Sequence, residues 1–288
     1  MQRPLDLTRE GLSGVEWRDL VTMRRIDGCV ECLYPAPWLL GSWAVAALAL
    51  WPAAAACSFM FFLTALRLNH EAIHGNLGLS PRAHRWVLHG LSALMLGSNS
   101  AVAFNHLQHH AHLGRPEDIE GKCGRMSGWH VLAYGPLFPI EMHLGAWRRG
   151  GRLLRRRMRV DLALNLAVLG AAAASASPVL AYHLSAVACA QCLTAFFAVW
   201  ITHRHCQGED LVARTQRSRL LNLVTYNMFF HLEHHLYPAV PVKRLGQLAA
   251  RIDAAAPELA GRARRVIDLP RLRRITDFSK GLKGTSHG

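Results

Sequence analysis

The sequence predicts an all-α integral membrane protein with about four transmembrane helices arranged as two hairpins. Hydrophobic residues make up 51% of the chain, yet its formal net charge is +14. A membrane protein combines these properties by separating apolar spans from Arg-rich loops. Mean hydropathy is only +0.12, which indicates few spans and a large polar part. That polar part carries clusters of histidine.

The first apolar run, residues 37–66, predicts one hairpin. It contains no charged residue and is longer than the roughly 20 residues that cross a bilayer. We expect two short spans with a break at Trp51 and Pro52, because an even number of spans returns the chain to its starting side. Residues 1–34 are polar and lack the apolar core of a secretory signal, so we expect them at the membrane surface.

Residues 86–104 decide the topology. They are apolar enough to form a third span, but a span here would put His70 and His106 on opposite sides of the membrane. Since the histidine clusters are expected to share one site, this segment is interpreted as buried or re-entrant. Residues 128–146 interleave aromatic and apolar side chains and predict an interfacial amphipathic helix.

A second hairpin, residues 162–180 and 184–201, follows a strongly basic loop. Seven arginines lie between residues 148 and 159, which predicts a cytosolic loop. Apolar segments flank the loop on both sides, so anionic lipid is its expected contact and nucleic acid is not. The chain is thereby divided into a cytosolic or interfacial segment 1–34, a membrane domain 35–241 and a basic cytosolic region 242–288.

Three short segments contain eight of the 17 histidines. Their spacing of three and four residues places the imidazoles on one helix face, where neutral ring nitrogens can bind a transition metal. No thiolate adjoins them, so a Cys-rich zinc site or an iron–sulfur centre is not expected. Eight or nine histidines exceed what one zinc ion binds and suit two metal ions, for which iron is suitable. The eight are His70, His74, His106, His109, His110, His231, His234 and His235.

These segments resemble the three histidine boxes of the membrane fatty acid desaturase and hydroxylase superfamily. The stretches are HEAIHG at 70–75, HLQHHAHLGRPEDIE at 106–120 and NMFFHLEHHLYPAVP at 227–241. Their order and spacing match the pattern HxxxH, HxxHH, HxxHH, and the resemblance covers residues 37–241. It implies four spans under a cytosolic helical cap that holds two iron ions, with the eight box histidines as ligands and O2 as co-substrate.

The resemblance also implies an additional ligand near the end of the last span. His203 and His205 are the candidates, and His205 is preferred. Asn227 is a candidate for a water-mediated contact with the metal, against an ordinary capping or surface role. Three acids would accept N–H bonds from ligating imidazoles and fix their tautomers, unless they are simply solvated. These acids are Glu71, Asp118 and Glu233.

The function implied by the resemblance is O2-dependent desaturation of a fatty acyl chain. A hydroxylase or ketolase acting on a carotenoid, alkyl or amino-acid-derived substrate would use the same ligands and is the alternative. No haem-binding His-Pro-Gly-Gly run and no ferredoxin-type cysteine spacing occur. Electrons are therefore expected from a separate ferredoxin or cytochrome with its reductase, docked on basic residues such as Lys243 and Arg251 unless these bind lipid headgroups.

The sequence also predicts the cellular location and allows one rival class of function, metal transport. Both termini and all three boxes are predicted on the cytoplasmic side, in a bacterial inner membrane. The seven cysteines suggest no disulfide framework, which fits a reducing compartment. Metal transport is the rival, but it needs polar ligands at membrane depth, and the predicted spans contain no Asp or Glu.

Overall fold

The structure is a computed structural model that describes residues 12–115, 117–206, 211–257, 259 and 265–267. The described residues are helical and form no strand, and a β-bridge joins Thr215 to Arg265. The predicted all-α class is therefore confirmed. Parts of the predicted terminal regions, residues 1–11 and 268–288, lie outside the described residues.

Helices of very different length follow one another along the chain. In order they are α1 (Arg25–Leu33), α2 (Pro35–Ala47), α3 (Trp51–His74), α4 (Pro81–Met95), α5 (Asn99–His112), α6 (Gly128–Tyr134), α7 (Leu137–Arg149), α8 (Arg152–Ser175), α9 (Pro178–Thr194), α10 (Ile201–His203), α11 (Arg219–Val224), α12 (His231–Leu236) and α13 (Leu245–Ala255). A π-helical turn, Ala195–Trp200, joins α9 to α10.

The first hairpin forms, but its arms are unequal. α2 has 13 residues and α3 has 24, which at the helical rise correspond to about 20 and 36 Å. Only α3 is long enough for a bilayer core of about 30 Å, so the prediction of two spans in this hairpin is corrected. The break lies before Trp51. Pro52 does not interrupt α3, because it falls in the first turn of that helix, where a missing N–H costs no hydrogen bond.

Three helical stretches are long and apolar enough to cross a membrane. They are α3, α8 and the continuous rod Pro178–His203 that contains α9 and α10. α4 and α5 add a fourth only if they count as one broken span, and they are bent by 114° relative to each other. The predicted four spans are thus shown in part: three are found, and a fourth would be the bent pair, which the prediction had excluded. The bend agrees with the interpretation of residues 86–104 as something other than a straight span.

The predicted interfacial helix over residues 128–146 is divided into α6 and α7. The division falls at Gly135 and Pro136, because proline has no N–H to continue the α6 ladder. A Cβ on Gly135 would lie 1.9 Å from the backbone oxygen of Cys192. This glycine therefore lets the chain pass directly against α9. α7 then turns Phe138 and Met142 inward.

The bend between α4 and α5 leaves backbone groups without helical partners, and polar side chains of other helices bind them. Irregular backbone at membrane depth is tolerated only where the protein satisfies it. Four such bonds are His183 Nε2 to the Leu94 oxygen at 3.0 Å, Gln191 Nε2 to the Met95 oxygen at 2.8 Å, Asn165 Nδ2 to the Gly97 oxygen at 3.0 Å and the Ser98 N–H to His143 Nε2 at 2.7 Å.

Asp161 of α8 holds the same bend. Its carboxylate is fully buried, accepts from Ser98 Oγ at 2.6 Å and from the Ser100 N–H at 3.2 Å, and lies 2.5 Å from His89 Nδ1. The predicted spans themselves contain no Asp or Glu, but the helices that include them extend farther and carry Asp161 and Glu71.

Replacing Asp161 with alanine is expected to destabilise the fold by about 3 kcal/mol or more. The change leaves several buried donors unpaired, and each unsatisfied group costs about 1–3 kcal/mol. Thermal unfolding in detergent, followed by tryptophan fluorescence, measures the effect. Glu117→Ala, at an exposed position on the loop after α5, is the matched control. An Asp161→Ala midpoint equal to that of the control would contradict the assigned role.

Candidate metal centre

Nine histidines meet where the C-terminal ends of α3, α5 and α10 approach α12. The helical spacing in the sequence explains the local geometry, because residues three and four apart on one helix face the same way. All three boxes are helical, as their spacing predicts. The Nε2 atoms face one another and divide the nine rings into a group of five and a group of four.

The group of five joins the first box to members of the other two. A chain of Nε2 to Nε2 contacts connects it: His70 to His234 at 2.9 Å, His234 to His110 at 3.0 Å, His110 to His106 at 3.2 Å and His106 to His74 at 3.0 Å. Four of these residues offer ligand atoms that all lie within 4.8 Å of one another. Such a set can hold one metal ion.

The group of four contains the additional histidine of α10. His203 Nε2 lies 3.2 Å from His109 Nε2 and 2.9 Å from His231 Nε2, and His231 Nε2 lies 3.2 Å from His235 Nε2. The ring of His235 stacks on that of His110 with centroids 4.4 Å apart. The two groups are therefore in direct contact.

The other ring nitrogen, Nδ1, is held by an oxygen acceptor in three of the rings. His109 Nδ1 lies 2.8 Å from Asp118, His203 Nδ1 lies 3.0 Å from the Val212 carbonyl oxygen, and His106 Nδ1 lies 3.0 Å from Glu120 Oε1. A neutral ring that donates from Nδ1 has its lone pair on Nε2. The Nε2 atoms of His109 and His203 would then be two lone pairs 3.2 Å apart, which a cation bound between them stabilises. This donor set fits a metal ion.

The three histidines of the third box favour their neutral form. Burial penalises the charged imidazolium, and neighbouring imidazoles would repel it, so the pKa values of His231, His234 and His235 lie well below their usual range. At neutral pH these rings are uncharged, which is the form that binds a metal.

Glu120 is a member of the centre that the sequence prediction missed. Its Oε1 lies 3.0 Å from His106 Nδ1. Burial alone would raise its pKa, but the charge and hydrogen bond of His106 together with His109 and His203 lower that pKa to about 2. The sequence shows an acid at the end of the second box segment. Because this residue lies in a loop, its position in the sequence does not predict which way its side chain points.

Comparison with known families gives one match. A sequence model of the fatty acid desaturase family matches residues 41–266, which includes all three boxes. The chain belongs to the fatty acid desaturase family. Neither curated proteins nor solved structures gave a match. Membership of the desaturase family implies a membrane oxidoreductase with a lipid or acyl substrate.

The histidine cluster includes His203 and leaves His205 outside. α10 ends at His203, and the backbone of Arg204 becomes extended with ψ 133°. His205 is exposed and adopts φ 58°. The preference for His205 as the additional candidate ligand is therefore corrected in favour of His203. A Cβ on Gly124 would approach His203 to 3.0–3.1 Å, so this glycine permits the close packing.

The predicted carboxylate partners differ in their contacts. Asp118 faces His109 as expected, whereas Glu233 accepts a hydrogen bond from Thr215 Oγ1 at 2.7 Å and pairs with the Arg217 guanidinium at 2.7 Å. Glu233 is thus corrected from an imidazole acceptor to an anchor between the third box and the segment before α11. It is fully buried, which requires such a partner.

Glu71 and Asn227 lie near the boxes without a short contact to an imidazole. Glu71 accepts from the Val242 N–H at 3.1 Å, and its other oxygen is 3.8 Å from His70 Nδ1. Asn227 adopts φ 65° in the turn before α12. The position of Asn227 fits a role in shaping this turn, since asparagine tolerates the left-handed conformation.

A cavity of about 100 Å³ extends from the desaturase histidines between the long helices. His70, His106 and His231 line it at the metal centre, and apolar side chains such as Phe62 and Val102 line it farther away. A groove of about 520 Å³ between α7 and α8 shares the wall residues Pro139 and His143 with this cavity.

Proposed function

We propose that the protein is an O2-dependent di-iron desaturase that introduces a C=C bond into a fatty acyl chain. Support comes from the family match and from the two contiguous groups of five and four histidines beside a cavity between the long helices. The group of five would hold one iron and the group of four the other. Imidazole nitrogen suits iron, and the number of rings suits two ions with open positions.

The residues of the chain perform three tasks in this proposal. Two irons, O2, two electrons and two protons supply the oxidation, which removes two hydrogens from adjacent carbons and yields two waters. Asp118, Glu120 and the Val212 carbonyl keep the Nδ1 protons of His109, His106 and His203 in place, so that Nε2 stays free to bind metal. The cavity between the long helices would hold the chain beside the histidines.

A hydroxylase or ketolase of the same superfamily is the second candidate. It would use the same histidines, and the outcome would depend on how the chain is positioned, where displacements of about 1 Å matter. Polar side chains in the cavity wall support this second candidate. Asn69 and Asn99 are two of them. Metal transport is disfavoured, because the candidate ligands are buried and packed in one cluster. Such a site would retain a metal ion and would not pass it across a membrane.

The orientation proposed is that the boxes and both termini face the cytoplasm, in a bacterial inner membrane, with the membrane domain 35–241 between cytosolic regions 1–34 and 242–288. The basic loop supports it, because Arg149 binds Asn105 Oδ1 at 2.9 Å, one residue before the second box. A separate ferredoxin or cytochrome would supply electrons. Lys243 and Arg251 are paired with Asp27 and Asp19, so an acidic donor would dock on other basic residues.

Purified protein is expected to contain about two irons per chain and to release a product two mass units lighter than its substrate. Metal analysis and mass spectrometry of lipids after expression measure both quantities. His110→Ala, which removes one ring of the group of five, is the inactive control. A product sixteen mass units heavier would identify the hydroxylase. Zinc alone at one ion per chain would contradict the di-iron proposal.

A further inference from the structure

The groove between α7 and α8 has exposed apolar side chains on both of its rims. Ile140, Leu144 and Trp147 recur along α7 at a spacing of four and three residues and are 56%, 47% and 40% exposed, and Leu162 of α8 is 56% exposed. An exposed apolar surface of this kind marks a contact with a partner or with a membrane. Because α8 is itself long and apolar enough to cross a membrane, bilayer lipid is the expected surrounding of these rims.

Positive charge and an aromatic ring lie together at one end of this groove. Arg159 and Trp147 both line it, and Trp147 is the lining residue of α7 nearest the turn into α8. The guanidinium carbons of Arg155 and Arg159 lie 5.8 and 5.9 Å from the centre of the Trp147 ring. Tryptophan and arginine are typical of the depth at which lipid headgroups lie. This end of the groove therefore fits a headgroup, and the apolar remainder fits an acyl chain.

The arginines at this end have no carboxylate to neutralise them in the described part of the chain. The arginine salt bridges found there all involve arginines outside residues 148–159. Arg155 donates to the carbonyl oxygens of Trp147 and Arg148 at 2.9 and 3.4 Å. Arg159 contacts the Trp147 ring and forms no hydrogen bond with another described residue. Its guanidinium is thus available to an anion, and phosphate oxygens match the geometry of that group.

We propose that the groove binds one anionic phospholipid, with its phosphate at Arg159 and an acyl chain along Leu144 and Leu162. The groove volume of about 520 Å³ is in the range of about 300–1,000 Å³ that is typical of ligand sites. This assigns a single lipid to a defined position, which a general attraction of the basic loop to an acidic membrane does not. Among the described residues, no histidine of the metal centre lines the groove, so this lipid is distinct from the substrate and the inference does not depend on the proposed function.

Native mass spectrometry of the protein in detergent tests the headgroup site by counting the lipids that each chain retains. One dioleoyl phosphatidylglycerol per chain is expected to bind at least about tenfold more tightly than dioleoyl phosphatidylcholine, because Arg155 and Arg159 attract its net charge. Arg159→Gln is expected to remove most of this preference.

Arg157→Gln is the matched control, since it removes the same charge from the same helix. Arg157 is two residues from both Arg155 and Arg159, which places it on another face of α8, so the preference should persist in this variant. An equal loss in Arg157→Gln and Arg159→Gln overturns the inference, because the basic segment would then attract acidic lipid without a defined site. Binding of several phosphatidylglycerols with no tighter first one overturns it as well.

The acyl part of the site is tested with shorter ligands and with Leu144→Gln, which leaves every arginine in place. Dihexanoyl phosphatidylglycerol and inorganic phosphate are expected to compete with the dioleoyl lipid at least about 100-fold more weakly, because they bury little or no hydrocarbon. Leu144→Gln is expected to weaken binding of the dioleoyl lipid about tenfold. Displacement by inorganic phosphate at equal concentration would assign the site to a free anion and overturn the inference, as would unchanged affinity in a folded Leu144→Gln protein.

A second copy of the chain is the other occupant that could cover these apolar rims, and the same spectra distinguish it. A dimer that forms without added lipid and dissociates in the Leu144→Gln variant would assign the groove to a second copy and overturn the inference. We expect one phosphatidylglycerol per chain, and an oligomeric state that is the same in the unaltered protein and in Leu144→Gln. The unfolding midpoints of all variants without lipid show that the fold is retained.

Discussion

Alanine at His203 is expected to lower the iron content from two to about one per chain and to abolish turnover, whereas alanine at His205 changes neither. The difference follows from the position of the two rings. His203 Nε2 contacts the Nε2 atoms of His109 and His231, and its Nδ1 is held by the Val212 carbonyl. His205 is exposed beyond the end of α10. Two neighbouring histidines thus provide their own matched comparison.

The size of the loss separates a ligand from a residue that only orients one. Removing an orienting group typically costs 10- to 100-fold in metal affinity or activity, so a ligand should exceed about 100-fold. Metal analysis of purified His203→Ala and His205→Ala proteins is combined with product yield per chain. Unfolding midpoints of both variants show whether the fold is retained. Iron loss in His205→Ala with full iron in His203→Ala would reverse the assignment.

The convergence of the boxes was predictable because it depends on local spacing. His70 and His74 are one helical turn apart, and the second and third boxes repeat the same period, so each segment presents its rings on one face once it is helical. That all three faces meet required the argument that His70 and His106 share one side of the membrane. The chain bends by 114° between α4 and α5, and the ring of His106 lies 5.0 Å from that of His70.

The identity of the additional histidine was not predictable, because the rod that carries it is not a regular helix. A π-helical turn at Ala195–Trp200 precedes His203, and such a turn adds a residue and rotates everything after it. Arg204 then leaves the helix, which sends His205 away from the cluster. Extrapolation at 3.6 residues per turn from the middle of the span cannot distinguish two histidines at i and i+2 under these conditions.

Contacts between segments that are far apart in the chain were also not predictable from the sequence. Asp161 adjoins the predicted second hairpin, and His89 lies 72 residues earlier, so nothing local relates them. Glu233 stands between box histidines, yet it turns toward Thr215 and Arg217. In the same way, Arg67 resembles the charged end of an apolar run, whereas α3 continues past it to His74. Charge and spacing identify such residues, but the packing of other helices decides their partners.

Arg67 and Glu31 form the second contact for which a large effect is expected. They pair between α3 and α1, with exposures of 3% and 2%. Arg67 Nε also donates to the Tyr226 carbonyl at 3.0 Å, and its guanidinium lies 5.1 Å from the ring centre of Tyr34. α1 can approach closely because Gly28 has no Cβ. A Cβ at this position would collide with the Leu77 carbonyl.

Glu31→Ala is expected to destabilise the protein by about 3–5 kcal/mol, because it leaves the buried Arg67 charge without its counter-ion. The double variant Glu31→Ala/Arg67→Met should recover most of this loss, since an apolar side chain of similar length replaces the unpaired charge. Thermal unfolding of the single and double variants in one detergent gives the comparison. A double variant no more stable than Glu31→Ala would show that the pair acts through something other than charge burial.

The same pair should influence activity through the third box. Tyr226 and Asn227 adopt φ 51° and 65° immediately before α12, and the Arg67 bond to the Tyr226 carbonyl holds this turn. Arg67→Met is therefore expected to lower turnover more than a variant of equal stability whose substitution lies away from the three boxes and from the α4–α5 bend. If turnover per folded, iron-loaded chain were equal in the two, the contribution of Arg67 would be stability alone.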